Sequence, residues 1–203
     1  AGRTTLLGDG LQHQDGHSLV LASTVPNCRA YDPAFAYETA EIVRHGIEHM
    51  YGSDPHDVFY YLTLYNENDV QPPMPPGSAE GIVEGLYRGA EAPALAGAPR
   101  ATILFSGSAQ GAARLAQAEL AERWGVAAEL WSATSYKRLR EEALAVERHN
   151  RLHPDDSPRR PRFTELLAEG RGPIVAVTDF MRGAPAAPWW AYTARRKLRF
   201  GNL

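Results

Sequence analysis

Four prolines fall within the seven residues Gln71-Pro72-Pro73-Met74-Pro75-Pro76-Gly77, and this string constrains the chain more than any other feature. Each proline ring fixes φ and removes a backbone donor, so no helix or sheet ladder can run through it. The stretch therefore predicts a joint between two separately patterned segments.

Before the joint, Val20-Leu21-Ala22 reads as a strand ending near Pro26-Asn27. Asp32-Pro33 reads as a helix start, with Asp32 as N-cap and Pro33 at the first helical position. The helix is expected to reach about Tyr51, with Gly52 past its end. Ala36, Ala40, Val43, Ile47 and Met50 recur at helical spacing and mark its expected apolar face. Val58 to Tyr65 is almost continuously β-branched or aromatic, the pattern of a parallel strand covered on both faces. Strand, helix, strand in this order is a βαβ signature.

After the joint, a helix-like stretch around Ile82 to Tyr87 leads to a loose segment rich in Ala, Pro and Gly. Ala101 to Phe105 is expected as a strand, with Ser106-Gly107-Ser108 as its turn. A helix follows, lined by Ala113, Ala116, Leu120 and Trp124 and closed by Gly125. Ala127 to Trp131 predicts a second strand, Tyr136 to His149 a charged helix, Phe163 to Leu167 a short helix and Ile174 to Val177 a third strand. The expected class is α/β with mostly parallel sheets.

A chain of 203 residues, 44% apolar and 22% charged, has the composition of one large or two small globular domains. No run of about 18 apolar residues occurs, which argues against a membrane span. Ala1-Gly2-Arg3-Thr4-Thr5 opens no signal peptide, because no apolar region follows it. A single cysteine, Cys28, allows no intrachain disulfide and fits a reducing compartment. The net charge of −3 gives no electrostatic case for nucleic acid. A cytoplasmic protein handling small molecules or protein partners is the expectation.

The loop Gly8-Asp9-Gly10-Leu11-Gln12-His13-Gln14-Asp15-Gly16-His17 concentrates the groups that could do chemistry. Its glycines permit tight turns, and His13 can donate or accept a proton near neutrality. Taken by itself it also reads as a surface turn. His45-Gly46-Ile47-Glu48-His49 spells an inverted zinc-protease pattern with both imidazoles on one helical face. The glycine weakens the helix, no third ligand is evident, and surface histidines explain the string more simply. Ser106 to Gly111 could hold an anion at free N–H groups but lacks both dinucleotide and nucleophile-elbow motifs, so a plain strand-to-helix turn is expected. Cys28 reads as a buried small side chain, Tyr60 and Tyr61 as core, and Lys137 to Glu142 as a solvated helix face.

Several strings together resemble one family. They are Gly2-Arg3-Thr4-Thr5, Gly10 to Ser18, Pro26-Asn27-Cys28, Tyr31-Asp32-Pro33-Ala34, Tyr37-Glu38, Asn66-Glu67-Asn68 and Leu152-His153-Pro154. In that order they resemble the homodimeric-type pyruvate dehydrogenase of bacteria, a thiamine diphosphate enzyme with transketolase-like architecture. The resemblance covers about residues 2 to 182. It implies that residues 1–72 are the end of a middle, pyrimidine-binding domain. Residues 73–203 would be a partial transketolase carboxy-terminal domain, atypical after Arg182, where a truncation or shifted reading frame is expected.

The resemblance also implies roles. His13 matches an active-site histidine close to the reactive carbon of thiamine diphosphate, suited to hydrogen bonding or proton delivery as pyruvate loses its carboxylate. Asp9 matches a cofactor-site position that the family usually fills with glutamate, one methylene longer. The Gly8-Asp9-Gly10 string also resembles the start of the metal and diphosphate motif of such enzymes. The Asn-Asn pair that closes that motif is absent, since the corresponding region reads Tyr31 to Phe35, so no metal ligand is assigned. Thiamine diphosphate and Mg2+ are expected only in the complete enzyme, which the family resemblance makes a homodimer. Pyruvate and the lipoyl domain of dihydrolipoyl acetyltransferase are the implied partners, and this chain by itself is expected to be inactive. Two alternatives stand beside that reading: an inactive remnant acting at most in dimerisation, and a zinc hydrolase using His45 and His49.

Overall fold

The computed structural model describes residues 4, 8–65, 67–184 and 198–202. Two α/β units lie on either side of the proline joint. The first contains a 3-10 turn (Leu11–His13), α1 (Ser18–Ser23), β1 (Cys28–Tyr31), α2 (Ala36–Tyr51) and β2 (Phe59–Leu62). β1 and β2 pair in parallel, with Cys28 opposite Phe59 and Tyr31 opposite Leu62. The parallel pairing with a helical crossover agrees with the reading of the apolar run around β2, but the strand is not covered on both faces: Phe59 is 47% exposed and Tyr60, Tyr61 and Leu62 are half-buried.

Three local expectations are corrected here. Val20-Leu21-Ala22 lies in α1, not in a strand. The Asp15 carboxylate accepts the Ser18 backbone N–H at 3.0 Å and the Ser18 hydroxyl, supplying the acceptor that a helix start needs. The strand beside β2 is formed instead by Cys28–Tyr31.

Asp32-Pro33 does not start α2, which begins four residues after Asp32. Other donors occupy the Asp32 carboxylate, and Glu38 serves the helix end by accepting the N–H groups of Ala34 (2.5 Å) and Phe35 (3.2 Å).

The buried face of α2 is also not the expected one. Val43 and Ile47 are 46% and 57% exposed, while Glu38, Ile42 and Gly46 are buried. The buried stripe is rotated by roughly a third of a turn from the expected one. Phe35 and Glu38 dictate that rotation, because both dock onto the second unit.

The second unit contains α3 (Ala79–Glu84), β3 (Tyr87–Ala90), β4 (Arg100–Phe105) and α4 (Gln110–Trp124). β5 (Ala127–Ser132), α5 (Tyr136–Leu152), α6 (Arg162–Leu166), β6 (Ile174–Thr178) and β7 (Leu198–Asn202) complete it. Its sheet has the order β3-β5-β4-β6-β7, parallel throughout except for the antiparallel edge strand β3. β4 lies at the centre, and Ala101 to Phe105 are buried on both faces, as strands covered by helices must be.

On one face Leu86, Leu104, Trp131, Leu139, Phe163 and Ile174 pack together. On the other, Ile103, Phe105, Ala113 and Leu130 form a core that Phe35 of the first unit enters. The Phe35 and Phe105 rings meet edge to face at 6.0 Å. Gly125, at φ 61°, ends α4 as expected, but Trp124 at the end of its expected apolar face is 70% exposed. β3 and β7 were not anticipated from the sequence. Most of the tail expected to be atypical, residues 185–197 and 203, lies outside the described residues.

Candidate active site

The histidine loop stands at the exposed rim of the joined units. Gly10 adopts φ 100° and ψ 159°, which opens the 3-10 turn that carries His13. The turn is closed by His13 N–H to Gly10 carbonyl (3.1 Å) and Gln14 N–H to Leu11 carbonyl (3.2 Å). His13 and Asp9 are both exposed, and no residue of the turn is buried. Burial pushes the Asp15 carboxyl up, but hydrogen bonds from Ser18 and His17 outweigh it and hold the group below its ordinary value.

Beside this loop the carboxyl ends of parallel strands meet at a buried junction, on the side where ligands of open α/β sheets commonly bind. Asp32, directly after β1, is 2% exposed and forms its hub. Its Oδ1 accepts the hydroxyls of Thr63 (2.6 Å) and Tyr65 (2.5 Å), and its Oδ2 accepts that of Ser106 (2.6 Å). Its backbone N–H donates to the Thr134 carbonyl at 2.8 Å, and its carbonyl accepts the Gly107 N–H at 3.1 Å. Burial raises the Asp32 carboxyl, against the lowering effect of those three hydroxyls, and nearby Asp179 adds to the rise.

Ser106-Gly107-Ser108 is thus more than the plain turn expected from its sequence. Ser106 and the Gly107 N–H hold Asp32, while the Ser108 hydroxyl faces Asp179 at 3.5 Å. Gly107 has φ 50°, and a Cβ there would stand 2.5 Å from Asp32 Oδ1 and closer still to the Tyr65 hydroxyl. Sequence reasoning missed Asp32 and Asp179 as site-building residues. Asp32 had stood out only as an expected N-cap and as part of a resemblance string.

Glu38 is a second buried carboxyl at the junction, fully shielded from solvent. Its Oε1 accepts the hydroxyls of Ser132 (2.6 Å) and Tyr87 (2.7 Å). Burial again raises it, with Ser132, Tyr87 and the N–H groups of Ala34 and Phe35 pulling the other way. The Tyr37 hydroxyl lies 2.7 Å from that of Tyr87, and burial raises Tyr37 to about 12.

The remaining candidates lie outside this junction. Cys28 is buried in β1, and burial raises its thiol. His45 and His49 do share one helix face, with ring centroids 5.4 Å apart, and His49 Nδ1 lies 2.9 Å from the Tyr60 hydroxyl. Among the described residues no three His, Cys, Asp or Glu side chains are grouped so as to hold a metal ion, and the zinc pattern gains no third ligand. No helix among them is long and apolar enough to cross a membrane.

Comparison with known proteins places this geometry in a family. The pyruvate dehydrogenase E1 component middle domain matches residues 1–72, and the transketolase-like TK C-terminal domain matches residues 85–201. The second match passes beyond Arg182. The pyruvate dehydrogenase E1 component of Mycolicibacterium smegmatis is 50% identical over 192 residues, covering 93% of this chain and 21% of that protein. That of Escherichia coli is 43% identical over 182 residues, covering 90% of this chain and 20% of that protein. The chain therefore spans about a fifth of the length of these relatives.

Among solved structures, a transketolase from Pichia stipitis superposes with a TM-score of 0.59 at 19% identity, covering 96% of this chain and 23% of that one. One from Leishmania mexicana gives 0.53 at 19% identity, covering 85% and 21%. At such identities the likeness concerns the fold, which is the transketolase-like arrangement of mostly parallel sheets. Fold and sequence together establish that the chain belongs to the transketolase-like family, in the branch that carries the pyruvate dehydrogenase E1 middle domain.

Proposed function

We propose that this chain is part of a cytoplasmic, homodimeric pyruvate dehydrogenase E1 component, which decarboxylates pyruvate and reductively acetylates lipoyl groups of the acetyltransferase. The observation that carries this reading is 43–50% identity to such components across 90–93% of the chain. Residues 1–72 would complete the middle domain and residues 73–203 would form a partial carboxy-terminal one.

The described residues fit part of what the cofactor requires. On this reading, which rests on the family resemblance, the metal ion and the diphosphate would be held by another part of the longer protein. His13 and Asp9 sit exposed on one loop and are open to a group bound across from them. When bound, thiamine diphosphate would supply the carbanion chemistry. His13 would hold or deliver a proton at a ring nitrogen as negative charge develops on the substrate, and Asp9 would order the cofactor site.

The test is pyruvate decarboxylation with thiamine diphosphate, magnesium and an artificial electron acceptor. Activity is expected from the complete enzyme and none from this chain by itself. Turnover by the chain alone, or a complete enzyme that ignores pyruvate, would contradict the proposal.

A further inference from the structure

The turn that follows β6 reaches back to the histidine loop at two points. Asp179, 1% exposed, accepts the Thr4 backbone N–H at Oδ2 (2.8 Å) and the Thr4 hydroxyl at Oδ1. The Ser108 hydroxyl approaches the same Oδ2 from the turn after β4, at 3.5 Å. Two residues beyond Asp179, the Met181 N–H donates to the Gly16 carbonyl at 2.9 Å. Thr4 precedes the loop and Gly16 lies near its end, so the second unit grips it from both sides. Between those grips the 3-10 turn buries no residue, and α1 behind it buries none either. No buried residue of its own turn supports His13, and the bonds of Thr4 and Gly16 tie its loop to the second unit.

We propose that Asp179 is a positioning residue for His13: through Thr4 it anchors the histidine loop to the end of β6. A buried carboxylate that accepts a backbone N–H and a hydroxyl forms charge-assisted bonds, stronger and more directional than neutral ones. Asn at position 179 keeps the shape but puts an NH2 group where one of those acceptors stood. One of the two Thr4 donors then faces another donor. The inference rests on the reading of His13 as the group that serves the reaction. Its physical core, the anchoring of the loop, can be measured without turnover.

The experiment uses the complete enzyme and compares Asp179→Asn, Thr4→Val, His13→Ala and the double variant Asp179→Asn/His13→Ala. Thr4→Val removes only the hydroxyl bond at an exposed residue, so it keeps the test available should Asp179→Asn fail to fold. Hydrogen exchange of the amides at residues 8–16 is expected to rise in Asp179→Asn and, less, in Thr4→Val. Turnover of pyruvate should fall on the order of ten- to a hundredfold in Asp179→Asn with little change in KM, because a displaced group costs mainly the chemical step. On the His13→Ala background, Asp179→Asn should lower turnover no further, whereas a general structural defect would lower it equally on both backgrounds.

Unchanged exchange in both single variants overturns the anchor, whatever the turnover. Equal turnover losses on both backgrounds overturn the link to His13. Raised exchange in an enzyme that His13→Ala leaves fully active supports the anchor and sinks instead the proposed role of His13.

Discussion

Ser106 Oγ donates to Asp32 Oδ2 at 2.6 Å, tying the end of the central strand in one unit to the residue that follows β1 in the other. Thr178, at the end of β6, lies 3.1 Å from the same serine oxygen. The ends of β1, β2 and β4 thus meet at one buried carboxyl, and that of β6 is joined to it through Ser106. With Phe35 in the second unit's core, this polar hub makes the interface between the two units apolar on one side and hydrogen-bonded on the other.

Glu38 should impose a measurable pH dependence on stability. Its carboxyl is raised in the folded chain, chiefly by burial. The folded state therefore binds the proton more tightly than the unfolded state. The stability this supplies is complete below the unfolded value of about 4.3 and is lost as pH rises through the raised folded value. Glu38→Gln cannot titrate. The stability of the native chain relative to that variant should decline as pH rises above the unfolded value, read as urea midpoints at fixed pH values. A relative stability that grows with pH would contradict the assignment.

Gly107→Ala should destabilise the chain by roughly 2–4 kcal/mol, combining left-handed backbone strain with overpacking against Asp32 and Tyr65. Denaturant unfolding checks this. A loss under about 0.5 kcal/mol would mean that the turn is free to move away, as ordinary surface sites are.

Gly46→Ala should do the opposite. Gly46 lies inside α2, and a Cβ there would meet the Tyr60 ring at 3.4 Å, an ordinary contact. Removing a helix-interior glycine should stabilise by about 0.5–1 kcal/mol, visible as a raised thermal midpoint.

His13→Ala should leave folding nearly untouched, within about 0.5 kcal/mol, because the side chain is exposed and its turn buries nothing. In the complete enzyme the same change should cut pyruvate turnover strongly. Matched measurements of unfolding and turnover separate the two effects. A folding loss that accounts for the whole activity loss would refute the catalytic role.

Much of this architecture was legible before any coordinates. Ala101 to Phe105, Ala127 to Trp131 and Ile174 to Val177 read as strands, and β4, β5 and β6 occupy those positions. Gly125 marked the end of α4 and Gly52 that of α2. The histidine loop was singled out by its residues, and the family by its strings.

Other elements were not legible, for identifiable reasons. Val20-Leu21-Ala22 is too short an apolar run to separate strand from helix, and the Asp15–Ser18 pairing decided for the helix. The strand Tyr87–Ala90 has little strand character of its own and exists because Ser132 and its neighbours offer a free ladder. The face of α2 followed the docking of Phe35 and Glu38, not its own apolar period.

The sequence by itself determined the α/β class, three strands of the larger sheet and the two longest helices that flank them. Those follow from local apolar periodicity, which acts over a few residues. Only the tertiary structure decided which carboxyls are buried and which strand ends hold them. Asp32 and Ser106 are 74 residues apart, and Thr4 and Asp179 are 175 apart. No local pattern encodes such a pair, because it comes into being only when packing of the two units brings the strand ends together.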